Sequence, residues 1–156
     1  MKGDGGGVDA EGELLKALKD PDEEVRLWAA ADRSATPRVL MKAMRDGICL
    51  IRRVAARHPN ATPEILMKAL EDGDAGTRNE GARNRNATPR VLMKALDNKM
   101  VEVRRSAASN PEATPEVLLK ALGDEDRYVR RRAEDRVESD PHLERLIARM
   151  KREARS

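Results

Sequence analysis

The side chains in this chain best suited to chemistry form two columns of cations. Arginine recurs at Arg26, Arg52, Arg78, Arg104 and Arg130, each preceded six residues earlier by Asp20, Asp46, Asp72, Asn98 or Asp124. Lysine recurs at Lys16, Lys42, Lys68, Lys94 and Lys120. Cations set at helix-packing distances could follow nucleic-acid phosphates or an acidic partner. In the arginine column, however, acid and base recur together. A planar guanidinium with five donors suits a hydrogen-bonded Asp–Arg ladder tying each interhelix turn to its neighbour, and that structural role is preferred. Beside the lysines runs a surface column of alternating sign: Arg38, Glu64, Arg90, Glu116. Unit-to-unit pairs between these, worth about 0.2–1 kcal/mol each, dilute any uniform field and favour a solvated face. Lys42, Lys68 and Lys94 remain candidate partner contacts.

One stretch breaks the regularity. In Gly73–Gly81, Thr77 stands where other units have Val or Ile, Gly81 where they have Ala, and Glu80 where Trp28 or Val54 recur. Gly in place of Ala costs about 1 kcal/mol in a helix interior. The second helix of this unit is therefore expected to be loosely packed or absent. A broken rule inside a regular array can mark a site, here Arg78, Asn79, Arg83, Asn84 and Arg85, able to hold an anion or a partner loop. Decay of one repeat explains the same irregularity, and both readings stay open.

Other chemistry is missing. His58 and His142 are far apart and have no cysteine at ligand spacing. No Ser/His/Asp order, phosphate loop or activated cysteine can be assembled, and Gly5-Gly6-Gly7 follows no strand. Asn60-Ala61-Thr62 and Asn86-Ala87-Thr88 match the glycosylation sequon but already serve as turn and N-cap. No catalytic group, metal or cofactor is expected.

The elements that place these residues are written by a repeat. Ala-Thr-Pro occurs at 35–37, 61–63, 87–89 and 113–115, a constant spacing of 26 residues. Such a period marks stacked small units. At this period Leu14, Leu40, Leu66, Leu92 and Leu118 align, as do Leu18, Met44, Leu70, Leu96 and Leu122, with Ala17, Ala43, Ala69, Ala95 and Ala121 between. With Val39, Ile65, Val91 and Val117 they form one helical stripe. Thr36, Thr62, Thr88 and Thr114 are good N-caps, each followed by proline at the first helical position; Gly47 and Gly73 mark C-terminal ends. Met41, Met67 and Met93 flank the stripe with Leu15 and Leu119, as core facing a second layer. A second apolar set, Val25/Trp28/Ala29, Ile51/Val54/Ala55, Val103/Ala107 and Val129/Ala133, predicts another helix, short enough to be 3₁₀. After Asp140-Pro141, Leu143, Leu146, Ile147 and Met150 form a last stripe among basic residues, expected to cap the stack.

Val103-Arg104, Ala107-Ala108, Asn110-Pro111, Thr114-Pro115-Glu116, Leu118-Leu119 and Ala121-Leu122, with their equivalents over about residues 12–150, resemble the leucine-rich repeat variant family, an α-solenoid in the style of HEAT repeats. The resemblance implies alternating α and 3₁₀ helices and no single activity. Some members carry a cysteine cluster for an iron–sulfur centre, which Cys49 alone cannot supply.

The fold expected is all-α: a right-handed α-solenoid of about five to six two-helix repeats of 26 residues, the second helix short α or 3₁₀. Residues 1–11 read as a flexible Gly-rich lead-in and 12–156 as one repeat domain with a C-terminal capping helix. Lys+Arg 31 against Asp+Glu 28 leaves a net charge of +3, with the signs interspersed, and Trp28 and Tyr128 are the only aromatics. Both features disfavour nucleic-acid coating and base stacking. No signal peptide or membrane span is visible. The function expected is a cytoplasmic, monomeric, non-enzymatic scaffold that binds another protein; the alternative is a solenoid binding nucleic-acid phosphates through its Lys and Arg columns.

Overall fold

The computed structural model describes residues 9–156, all in helices and short connections; most of the 1–11 lead-in lies outside them, and Ala10 and Glu11 already belong to the first helix. Eleven α-helices are present and, among the described residues, no strand. One row of helices comprises α1 (Ala10–Ala17), α3 (Pro37–Ala43), α5 (Pro63–Leu70), α7 (Pro89–Ala95) and α9 (Pro115–Leu122). The other comprises α2 (Glu23–Ala31), α4 (Cys49–Arg57), α6 (Ala75–Arg83), α8 (Val101–Ser109) and α10 (Arg127–Glu138). The last helix, α11 (Pro141–Glu153), packs on α9 and α10. Every helix touches only helices one or two places away in chain order, and the second row packs more closely than the first.

Local chemistry accounts for the first row. The hydroxyls of Thr36, Thr62, Thr88 and Thr114 accept from the amides of Val39, Ile65, Val91 and Val117, with proline opening each helix. Their Leu, Ala and Val stripes are buried, including all five column leucines from Leu14 to Leu118. Burial of one leucine contributes about 1.5–3 kcal/mol, available here only when neighbouring units lie together. Met41, Met67 and Met93 are half-buried against this core.

The second row departs from expectation in three places. Its helices are α-helical over at least nine residues each, so the 3₁₀ form is not adopted. Trp28 is 59% exposed instead of joining the core, which at its end of α2 is filled by Ala29 and Ala30. And α6 is fully formed and tightly packed. Thr77 is buried with its hydroxyl donating to Asp74 at 2.9 Å, so its polar atom is satisfied. Gly81 faces α5 so closely that a Cβ there would meet the Ala69 Cβ at 3.0 Å and the Leu66 carbonyl at 3.3 Å. Close approach compensates for the missing side chain.

Candidate functional site

The arginine column forms a ladder along the turns. Arg26 Nε donates to Asp46 at 2.8 Å, Arg52 Nε to Asp72 at 2.8 Å, and Arg104 Nε to Asp124 at 2.9 Å, always reaching one unit forward. The Nη1 of each donates backward to the carbonyl six residues earlier. The same aspartates cap their own turns, Oδ1 accepting the amide two residues on. At Asp46, burial pushes the carboxyl up, but the Arg26 hydrogen bond, the Ile48 amide and the charges of Arg26 and Arg52 outweigh it and hold it below the usual carboxylate range. At the third rung Asn98 replaces aspartate. Arg78 still donates to the Asp72 and Gly73 carbonyls, but its Nη2 meets the Met100 sulfur at 2.7 Å and its buried Nε has no partner.

A second set of pairs alternates along the stack. Arg53 makes two 2.7 Å hydrogen bonds to Asp74, and Arg105 reaches Asp126 at 3.3 Å. Equivalent places in the intervening units hold Leu27 with Ile48, and Asn79 with Met100. Asp74 also N-caps α6, and the Arg53 hydrogen bond, outweighing burial, holds its carboxyl well below the usual range with help from Thr77. Gly76 leaves room for the Arg53 guanidinium to lie across the first turn of α6, whereas Arg105 stacks over the Tyr128 ring at 4.7 Å.

The opposite edge carries a ladder of amides that the sequence reading did not anticipate. Asn84 Nδ2 donates to the carbonyls of Ala56 and His58, and Asn110 Nδ2 to those of Ala82 and Asn84, all at 2.8–3.1 Å. His58 takes the same place one unit earlier: its Nδ1 accepts from the Asn60 amide, so Nε2 carries the proton and donates to Asp32 O at 2.9 Å. Asn60 and Asn86 run alongside, each bridging two carbonyls of the preceding turn. Their amides are thereby engaged, which speaks against glycosylation there. The signal was visible as a column, His58, Asn84, Asn110, at the repeat period.

No protein-family model and no curated protein matches this chain. Its functional candidates therefore rest on geometry. The irregular-unit cluster converges only in part: Arg83, Asn84 and Arg85 border one depression, and Arg78 and Asn79 do not. Arg78 and Asn84 are taken up by the two ladders, and Asn79 accepts from the Ser106 hydroxyl at 2.6 Å. Arg83 and Arg85 remain exposed, lining with Arg57, Glu80, Asn84 and Asn86 an open depression of about 590 Å³. The lysine column divides too. Lys94 is paired with Glu71 and Lys120 with Asp97, whereas Lys42 reaches only the Leu15 carbonyl and Lys68 is exposed. The expected pairs along Arg38, Glu64, Arg90 and Glu116 are not formed among the described residues; Arg38 pairs instead with Glu11, in the first turn of α1, at 3.2 Å. No group of three or more metal-ligating side chains occurs among the described residues, and no described helix is long and apolar enough to cross a membrane.

Proposed function

We propose that this protein is a non-enzymatic α-solenoid that serves as a scaffold for another protein, similar in design to the leucine-rich repeat variant family. Contacts restricted to near neighbours and ladders recurring at the repeat interval support the solenoid. The observation that carries the binding role is the placement of the large exposed apolar side chains. Trp28, Leu50 and Tyr128 are each about half exposed, and all three stand on second-row helices, α2, α4 and α10. Exposed apolar groups on the second row, with Trp28 and Leu50 on the contacting helices α2 and α4, favour protein contact there. A photo-crosslinker at position 28 should capture a defined protein in the source cells, whereas one at position 116, on first-row helix α9, should not. Equal or absent capture at both positions contradicts the reading.

The exposed Arg57, Arg83 and Arg85 around one depression favour a second reading, nucleic-acid binding. It predicts gel retardation of duplex DNA or RNA that falls steeply as salt rises.

A further inference from the structure

The first-row helices all carry a lysine in the last turn, where the helix dipole favours a cation by about 0.3–1 kcal/mol. That explains the lysine column without a ligand. It does not explain the column three residues on, which reads Lys19, Arg45, Glu71, Asp97, Gly123. In the second half of the stack this position is acidic and receives the lysine of the following unit: Glu71 takes Lys94, and Asp97 takes Lys120 at 2.6 Å. In the first half the same position is basic. Lys19 stands where an acid would complete the pair of Lys42, and Arg45 where one would complete that of Lys68. None of Lys16, Lys19, Lys42, Arg45 and Lys68 makes an ion pair among the described residues.

These cations share a hollow. Lys16, Lys19, Lys42 and Arg45 line a groove of about 1190 Å³ along α1 and α3, and Arg45 also borders the next depression, about 470 Å³, which reaches Lys68. Leu15, Leu18 and Met41 also line the first groove. Of the acids there, Asp46 is held by Arg26, Asp20 accepts the Asp22 amide, and Asp9 sits beside Gly12 at the start of α1. Arg38 is occupied by Glu11.

We infer that this groove receives an acidic segment of the partner protein, with carboxylates on Lys19, Lys42, Arg45 and Lys68 and apolar side chains on Leu15 and Met41. The inference rests on the scaffold reading and names the chemistry of what the scaffold holds. Adjacent like charges repel while the groove is empty and are relieved when carboxylates arrive. The apolar lining and the lack of any aromatic side chain for stacking favour a peptide over a nucleic-acid strand.

The test uses the full chain and fluorescence anisotropy. The probes are a labelled 12-residue peptide alternating Glu and Leu, its Lys/Leu counterpart and a labelled oligothymidylate. The Glu/Leu peptide should bind saturably and more weakly as salt rises, and the Lys/Leu peptide should not bind. Lys19→Glu with Arg45→Glu installs the acid–lysine pairs of the second half, so the variant should melt no lower than the parent. It should weaken peptide binding by about tenfold or more. Glu71→Arg extends the strip and should strengthen it. Absence of saturable binding, indifference to the double variant, or tighter binding of oligothymidylate through the same residues would overturn the inference. Capture at position 28 is independent of these residues. A retained crosslink with an inert groove refutes only the groove, and loss of both refutes the scaffold.

Discussion

Replacing Asn98 by aspartate should make this protein more stable. Asn98 occupies the place of Asp46, Asp72 and Asp124, each of which accepts the Nε of the preceding unit's arginine at 2.8–2.9 Å. The side chains are isosteric. In the wild type Asn98 Oδ1 already accepts the Met100 amide at 3.0 Å, as each aspartate does with its own turn, so one carboxylate oxygen keeps the turn while the other meets Arg78. The Asn98 carbonyl continues to accept from Arg104. The gain has two parts: a charge-assisted hydrogen bond, and relief of the buried Arg78 Nε that now has no partner. A buried hydrogen bond to a charged group contributes about 1.5–3 kcal/mol, and an exposed ion pair about 0–1. The corresponding pairs lie between these limits, with 10–19% of the arginine side chain and 9–10% of the aspartate exposed. About 1–2 kcal/mol follows, raising Tm by roughly 4 °C in a chain of this size. Thermal and urea denaturation at neutral pH measure it, and a cycle with Arg78→Gln isolates the pair. An unchanged or lower Tm in Asn98→Asp, or a gain that survives Arg78→Gln, refutes the ladder as a source of stability.

Asn110→Asp should act in the opposite sense. Its Nδ2 donates to two carbonyls inside the stack, and a carboxylate there faces them with no proton, costing about 3 kcal/mol or more by urea denaturation; a loss under about 1 kcal/mol contradicts the amide ladder. Gly81→Ala should destabilise by about 1–3 kcal/mol through overpacking against Ala69 and Leu66, whereas a stabilisation near the helix-propensity gain would mean that α6 merely tolerates its glycine. Acid should weaken the fold. Asp32, Asp46, Asp74, Asp126 and Glu71 titrate below their ordinary values when folded, so the unfolded chain binds more protons; their contribution is complete above about pH 5 and is lost progressively below about pH 4. Urea midpoints that hold constant from about pH 6 to pH 2.5 contradict this.

The first row was legible because its signals are local. A threonine cap, a proline at N1 and a stripe of Leu and Val state a helix within one unit, and four copies remove ambiguity. The second row was less legible because, beside an Ile or Val in three of its helices (Ile51, Val103, Val129), its core positions are filled mostly by alanine, too small to distinguish a buried helix from a short turn. Trp28 misled for a related reason: its helical spacing matched Ala29 and Val25, but the buried direction is set by neighbouring helices that a single unit does not contain. Gly81 and Thr77 looked like losses because the sequence shows the missing side chain and hides the distance to α5. Of the candidate site, Arg83 and Arg85 lie on the surface. Arg78 also belongs to the arginine column for which a structural ladder was preferred, whereas the amide ladder that takes up Asn84 was not read, since the carbonyls it serves lie 26 and 28 residues away. The basic column Lys19 and Arg45 was missed altogether; its signal is the change of sign to Glu71 and Asp97, visible when units are compared.

Apolar packing alone leaves such a stack underdetermined. The faces built by Leu40, Leu66, Leu92 and Leu118, with their alanines, are nearly identical, so a slip by one whole unit would bury much the same apolar surface. The alternating pairs remove that freedom. Arg53 meets Asp74 and Arg105 meets Asp126, while Leu27 lies opposite Ile48 and Asn79 opposite Met100. A slip by one unit would set Arg53 against Met100 and leave Asp74 facing Leu27, separating charges that are now half-buried together. Stranding a partly buried charge costs more than the pair itself contributes. The polar pairs therefore matter less as a sum of stabilising contacts than as penalties against misstacking, and they define a module of two units where the apolar pattern shows one.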